Sequence, residues 1–257
     1  KLFNKDFITI GSAFTVFQGI VTGNNPAFIF ENEDDALAHG VDTVLLHPLC
    51  HGRDIGRYEI KSRERRILYI DNSIDIEDYP NTKKWLLDFK EQLSKRREAK
   101  KGVISWYGLQ WPRVKSELDI KEKILIQRTR NEALKQRIIA TIDEEGVYGM
   151  EGIYFIITKD EGVSLYFLLG ILNSKLMNYL FATKFLNLAI KAEYLKQVMI
   201  PSASDKNIIT LVKEILQTKR MNSGTDTSSL EHEIDQLVYQ LYGLTDEEIA
   251  IVEGSNE

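Results

Sequence analysis

Runs rich in Val, Ile, Phe and Thr at residues 12–22, 43–47, 66–70, 123–127, 138–142 and 153–158 read as strands. A short returning strand at 28–30 adds to them. The helical patterns sit elsewhere. Residues 33–39 have a helix composition stopped by Gly40. A helix opens at Pro80 and carries Trp85, Leu86, Phe89 and Leu93 on one stripe to about Ala99. Apolar residues fall all round residues 165–181, which predicts a buried helix, and residues 195–200 read as a last extended piece. Beyond Pro201 come helices at 207–218, 230–242 and 246–252, with a polar linker at 221–229, Gly243 as a stop and a Thr245/Glu248 capping box. Mixed strands first and helices last predict an α+β fold: mixed, mostly antiparallel sheets with packed helices and a C-terminal helical segment. The expected division is 1–201 and 202–257.

Charge is distributed unevenly. The 257 residues sum to −5, yet residues 83–137 carry 16 Lys+Arg against 7 Asp+Glu, together with all three tryptophans, Trp85, Trp106 and Trp111. The flanks are acidic, 8 against 13 in residues 1–82 and 9 against 18 in residues 138–257. A basic middle is the footprint expected for a polyanion, since each cation that neutralises a phosphate releases a counterion. Basic side chains that merely solvate helix faces produce the same count. The lone cysteine, Cys50, excludes an internal disulfide and fits a reducing, cytoplasmic setting. The apolar run at 163–185 is interrupted by Asn173, Ser174, Lys175, Asn178 and Lys184, too polar for a membrane span, and no secretory signal is present. The first residue is Lys rather than Met, which suggests a piece of a longer polypeptide.

Four constellations bear on chemistry. Asn25-Pro26-Ala27-Phe28 is a partial match to the Asn-Pro-Pro-Tyr/Phe motif that holds a flipped base in amino-group DNA methyltransferases, without its second proline and without a Gly-rich cofactor turn nearby. Asp42 or Asp54 with Glu59-Ile60-Lys61 matches the Asp…Glu-x-Lys pattern of magnesium-dependent nucleases; a same-face pair on a strand is the alternative for Glu59 and Lys61. His47, Cys50 and His51 crowd together but lack the second pair that a structural zinc needs. Trp106, Tyr107 and Trp111 lie in a loop with Gln110 and Arg113, where stacking on a base competes with loop anchoring.

Taken in order, several segments resemble one family. Residues 19–28, Gly-Ile-Val-Thr-Gly-Asn-Asn-Pro-Ala-Phe, resemble the Gly-Ile-x-Thr-Gly-x-Asn-x-Ala-Phe stretch that opens the target-recognition domain of type IIG restriction–modification enzymes and related adenine-specific DNA methyltransferases, with Asn25 one place early. Pro48-Leu49, Gly52-Arg53-Asp54-Ile55 and Arg57-Tyr58 follow. So do Leu93…Arg96-Arg97, Trp106-Tyr107-x-Leu109-Gln110, Lys123-Ile124, the segment 171–176 and the tail 237–245. The resemblance implies a DNA methylase specificity-domain-like fold that reads double-stranded DNA and does no bond-making itself. It further implies an upstream S-adenosylmethionine-dependent methyltransferase domain, a nuclease with magnesium where the parent also cuts, and no cofactor in this chain. The residues of DNA-reading type on loops and strand ends are Thr22, Asn24, Asn25, Arg53, Arg57, Tyr107, Gln110, Arg113, Lys123, Arg128 and Arg130. Asp54 is expected to orient Arg53 or Arg57. A self-contained nuclease, or a scaffold that binds a partner through its terminal helices, are the other classes.

Overall fold

The computed structural model describes residues 6–128, 136–159, 162–184 and 189–254. Its strands in chain order are β1 (Phe7–Thr9), β2 (Phe14–Gln18), β3 (Ile29–Phe30), β4 (Leu46–Cys50), β5 (Ile55–Gly56), β6 (Glu59–Ile60), β7 (Arg66–Leu68), β8 (Lys123–Gln127), β9 (Ala140–Asp143), β10 (Tyr148–Gly149), β11 (Ile153–Thr158) and β12 (Met199–Pro201). The central sheet runs β2-β11-β8-β9 and is antiparallel throughout. A second sheet, β10-β4-β7-β3, is parallel only between β10 and β4.

Antiparallel strands usually alternate apolar and polar residues, because one face meets water. Here β8 and β11 are almost continuously apolar, and both faces of the central sheet are buried. Register sorts the side chains. Tyr154 opposes Ile126 and Ile156 opposes Ile124 and Val16, which places these on one face. That face packs against the helices Leu165–Asn173, Lys206–Met221 and Ser228–Tyr242. Phe155, opposite Leu125 and Phe17, lies on the other face and meets the second sheet. The architecture is the mixed, mostly antiparallel α+β arrangement expected from the sequence. Among the described residues no single helix is long and apolar enough to cross a membrane.

Four expectations about elements are corrected. The helix from Pro80 breaks into Pro80–Leu87, Lys90–Ser94 and Arg97–Lys100, because the amides of Asp88 and Phe89 bond three residues back (to Trp85 and Leu86) and Arg96 leaves helical geometry with ψ 140°. The helix at 165–181 bends by 60° between Leu165–Asn173 and Lys175–Thr183. Ser174 makes that break: its backbone is extended, and its hydroxyl donates to the Ile171 carbonyl (2.7 Å) while accepting from Met177 N–H (3.3 Å). Residues 192–197 form a helix, with Leu195 buried, and the extended piece shrinks to β12. The strand foreseen at 43–47 also slides to Leu46–Cys50, through Pro48; its pairing with β10 begins only at Leu49, so the missing proline N–H removes no bond there.

Helix packing is close at Gly170. A Cβ there would lie 2.6 Å from Ile208 Cγ2 and 3.1 Å from Val212 Cγ2. Gly170→Ala is therefore expected to lower unfolding stability by about 1–3 kcal/mol through overpacking. Gly162→Ala, where the added carbon meets nothing within 4 Å, should change it by no more than about 0.5 kcal/mol. Urea midpoints that coincide for the two variants would refute this packing.

Candidate nucleic-acid interface

The loops that leave the two sheets converge on the turn at residues 149–152. Gly19 lies against it so closely that a Cβ would sit 2.2 Å from the Met150 carbonyl oxygen and 2.4 Å from that of Gly149. Ile20 N–H donates to Gly149 (2.7 Å), Met150 N–H to Cys50 (3.1 Å) and Arg128 N–H to Gly152 (2.9 Å). The Gln18 side chain donates to the Glu151 carbonyl (2.8 Å), and a Cβ on Gly52 would lie 2.9 Å from the Gly152 carbonyl oxygen. One turn thus gathers three of the arginines singled out from the sequence. Arg53 follows Gly52 and is exposed, with no side-chain hydrogen bond or ion pair among the described residues. Arg113 donates through Nε to the Gly19 carbonyl (2.8 Å). Arg128 is half-buried, and its Nε is enclosed with no partner among the described residues.

Arg113 has φ +70°, a region that side-chain-bearing residues seldom occupy, and such strain tends to cluster at working sites. Burial pulls its guanidinium below the ordinary arginine value, with the Glu151 charge pulling the other way. Glu151 was not singled out from the sequence. One of its carboxylate oxygens is buried without a partner among the described residues. The only signal for it was the run of glycines around it.

Beside this hub lies a second network. Thr22 is buried, donates to Asn25 Oδ1 (2.6 Å) and accepts from Asn24 N–H (3.1 Å). The Asn24 amide donates to Gln92 (2.7 Å), and that of Gln110 to Glu98 (3.0 Å). Val21 and Trp111 exchange backbone hydrogen bonds, and Trp111 is 45% exposed. Tyr107 is half-buried and donates to the Ile74 carbonyl (3.3 Å). The organiser is Arg96. Its guanidinium donates to the carbonyls of Thr22 (2.9 Å), Trp106 (2.8 Å), Gly108 (2.8 Å) and Leu93 (3.0 Å). Gly23, at φ +75°, leaves room for it, since a Cβ would lie 2.8 Å from Arg96 Cδ. A continuous helix would have carried Arg96 through as one more surface cation, so this role was invisible without the break.

Other residues point elsewhere. Arg57 donates to the Asn173 carbonyl (2.7 Å) and pairs with Glu231, on the side of the terminal helices. Asp54 pairs with Arg65 (2.9 Å) rather than with Arg53 or Arg57, and accepts from His51 N–H (2.8 Å). Lys123 is fully buried, with its ammonium on the carbonyls of Leu118 (2.6 Å) and Ile120 (2.7 Å) and near Asp143 (3.8 Å), so it reaches no ligand at the surface. Arg130 lies outside the described residues. His47 stacks on Tyr148 (4.3 Å between ring centres), and burial pushes the Cys50 thiol up to about 12. No group of three or more His, Cys, Asp or Glu able to hold a metal occurs among the described residues.

A family model for the TaqI-like C-terminal specificity domain matches residues 47–201. The chain belongs to this family. This specificity domain is 24% identical over 248 residues to the type II methyltransferase M.BstVI of Geobacillus stearothermophilus, covering 93% of this chain and 41% of the relative. It is 25% identical over 248 residues to the type II methyltransferase M.PaeR7I of Pseudomonas aeruginosa, covering 40% of that protein. A putative type II restriction enzyme and methyltransferase of Methanocaldococcus jannaschii is 31% identical over 134 residues, 47% of this chain and 11% of the relative. The chain therefore spans about two fifths, or less, of the length of these relatives. In fold it is similar to the type IIL restriction–modification enzyme MmeI, solved in complex with DNA (TM-score 0.63, 14% identity, 96% of this chain and 35% of that one). The type IIG restriction endonuclease BpuSI is similar too (TM-score 0.51, 15% identity, 93% of this chain and 32% of that one).

Within the specificity domain, Lys123 is a structural group whose ionisation is coupled to folding. Burial pulls its ammonium from 10.5 to about 8, with Asp143 opposing. Between about pH 8 and pH 10 the unfolded chain keeps a proton that the folded chain has shed, so this residue favours folding increasingly as pH rises. The stability difference between the wild type and Lys123→Met should shift in favour of the wild type across that window. Chemical denaturation giving a flat difference would count against it.

Proposed function

We propose that this specificity domain docks on double-stranded DNA through the loops around the 149–152 turn and selects the sequence at which the rest of the polypeptide acts. In this reading an upstream domain methylates adenine with S-adenosylmethionine, and a nuclease using magnesium is present where the parent also cleaves. The cofactor belongs to that upstream domain. Residues 1–201 face DNA and residues 202–257 brace them. The partners are duplex DNA and the methyltransferase domain, without a membrane. The lone, buried Cys50 suits a cytoplasmic location.

The observation that carries the reading is the meeting of Arg53, Arg113 and Arg128 at one turn, beside the exposed Trp111. Arginine reads guanine by two parallel hydrogen bonds in the major groove, and the same side chain holds phosphate. Thr22, Asn24, Asn25, Tyr107 and Gln110 act in this reading by shaping and lining the neighbouring loop, where amides are suited to adenine.

Selection of bound duplexes from a random pool tests this. The 257-residue chain should enrich a defined sequence, and Arg113→Ala or Arg53→Ala should relax preference at one or two positions. A base contact of this kind is worth about 1–3 kcal/mol, roughly 5- to 150-fold. A chain with no affinity for duplex DNA at low salt would sink the proposal.

A further inference from the structure

Next to the loops that Arg96 holds is a turn that the sequence comparison leaves without a role. Arg97–Lys100 is a one-turn helix that ends at Lys101 and Gly102, the latter at φ +70°. Arg97, Lys100 and Lys101 are exposed, and among the described residues none of their side chains has a hydrogen bond, an ion pair or a ring contact. Most cations in the folded body are engaged differently. Arg57, Arg63, Arg65 and Arg66 are all paired with acids, as are Lys83 and Lys115. The acids of this arm offset the three only in part. Glu91 is held by Lys95 (2.5 Å), Asp88 lies exposed in the break before Lys90–Ser94, and Glu98, inside the turn, accepts from the neutral Gln110 amide (3.0 Å) and keeps its charge, so residues 97–101 carry three cations against one anion.

Three unpaired cations within five residues would repel one another in water and be spread by flexible stems. Here their backbone is pinned. Arg96, the residue just before them, is anchored to four carbonyls of three segments, including Thr22 and Gly108 in the loops proposed to meet DNA. Asn72 adds a bond to the Val103 carbonyl (2.9 Å) on the far side of the turn. The charge is thus held at a set position relative to those loops, as a phosphate contact that fixes register requires.

We infer that residues 97–101 form a phosphate clamp, in which Arg97, Lys100 and Lys101 grip the backbone of duplex DNA beside the stretch being read. The inference rests on the DNA-reading proposal above but names a surface apart from the base-reading loops. The clamp contributes affinity and salt dependence without sequence preference.

The test is fluorescence anisotropy of the 257-residue chain on a mixed-sequence duplex from 50 to 200 mM KCl. Neutralising the clamp with Arg97→Gln, Lys100→Gln and Lys101→Gln should remove about 2.7 from the slope of log affinity against log salt. Over that range the wild type then loses about 40-fold more affinity than the variant. The charge-keeping set Arg97→Lys, Lys100→Arg and Lys101→Arg should retain the wild-type slope. So should Lys196→Gln, Lys206→Gln and Lys213→Gln, the same charge loss on exposed lysines of the helices around the other core. A neutralised clamp with the wild-type slope, or a control triple with an equal loss, overturns the clamp while leaving DNA reading intact. A wild type that binds no duplex at all overturns the reading itself, and the clamp with it.

Discussion

No side-chain carbon fits between Gly19 and the carbonyls of Gly149 and Met150, and the loop end of the molecule is built on that contact. The approach lets the chain leaving β2 hydrogen-bond directly to the 149–152 turn, which is itself bonded to the ends of β4 and β8. Gly52 makes a similar approach to Gly152 from the other side. Two sheets are thereby joined through backbone at one point. Arg53, Arg113 and Arg128 converge because each follows, or bonds to, a residue of that junction. A side chain at either glycine would wedge the sheets apart and scatter the arginines.

Arg96 extends the order outward. A charged donor bound to carbonyls in a half-buried setting makes bonds of about 1.5–3 kcal/mol each, and four on one guanidinium tie loops that have no strand pairing with the arm. The cost is a broken helix: Arg96 is extended, and the segment around it is three short helices where one long one was expected. Local helix propensity is worth tenths of a kcal/mol per residue, so a set of charge-assisted bonds outweighs it.

Much of the fold was legible because burial on both faces of the central sheet leaves an unbroken apolar signature in β8 and β11, and because the terminal helices carry clean caps. The breaks were not legible. Ser174 sits in an apolar run and Arg96 in a basic one, and each departs from the helix through bonds to segments remote in sequence or to its own preceding turn. The candidate site divided along the same line. Arg53, Arg113 and Arg128 were named from their residue type and loop position, and so were Arg57 and Lys123. Arg57 meets Glu231, 174 residues away, and Lys123 is enclosed near Asp143. Residue type carries no information about such partners.

By itself the sequence determined the fold class, the basic character of the middle segment and the family, since periodicity, charge and local motifs are properties of neighbouring residues. Which cations face solvent was decided only by the tertiary structure. Residues 63–66 hold three arginines and 97–101 hold three cations, and nothing local separates the two runs. The first is closed off by Glu31, Glu33, Asp54 and Asp143 brought in from elsewhere, while the second is pinned by its neighbour Arg96 with its charges unpaired. Charge pairing falls off over a few ångströms, so it is fixed by where the backbone places distant acids and not by the order of residues along the chain.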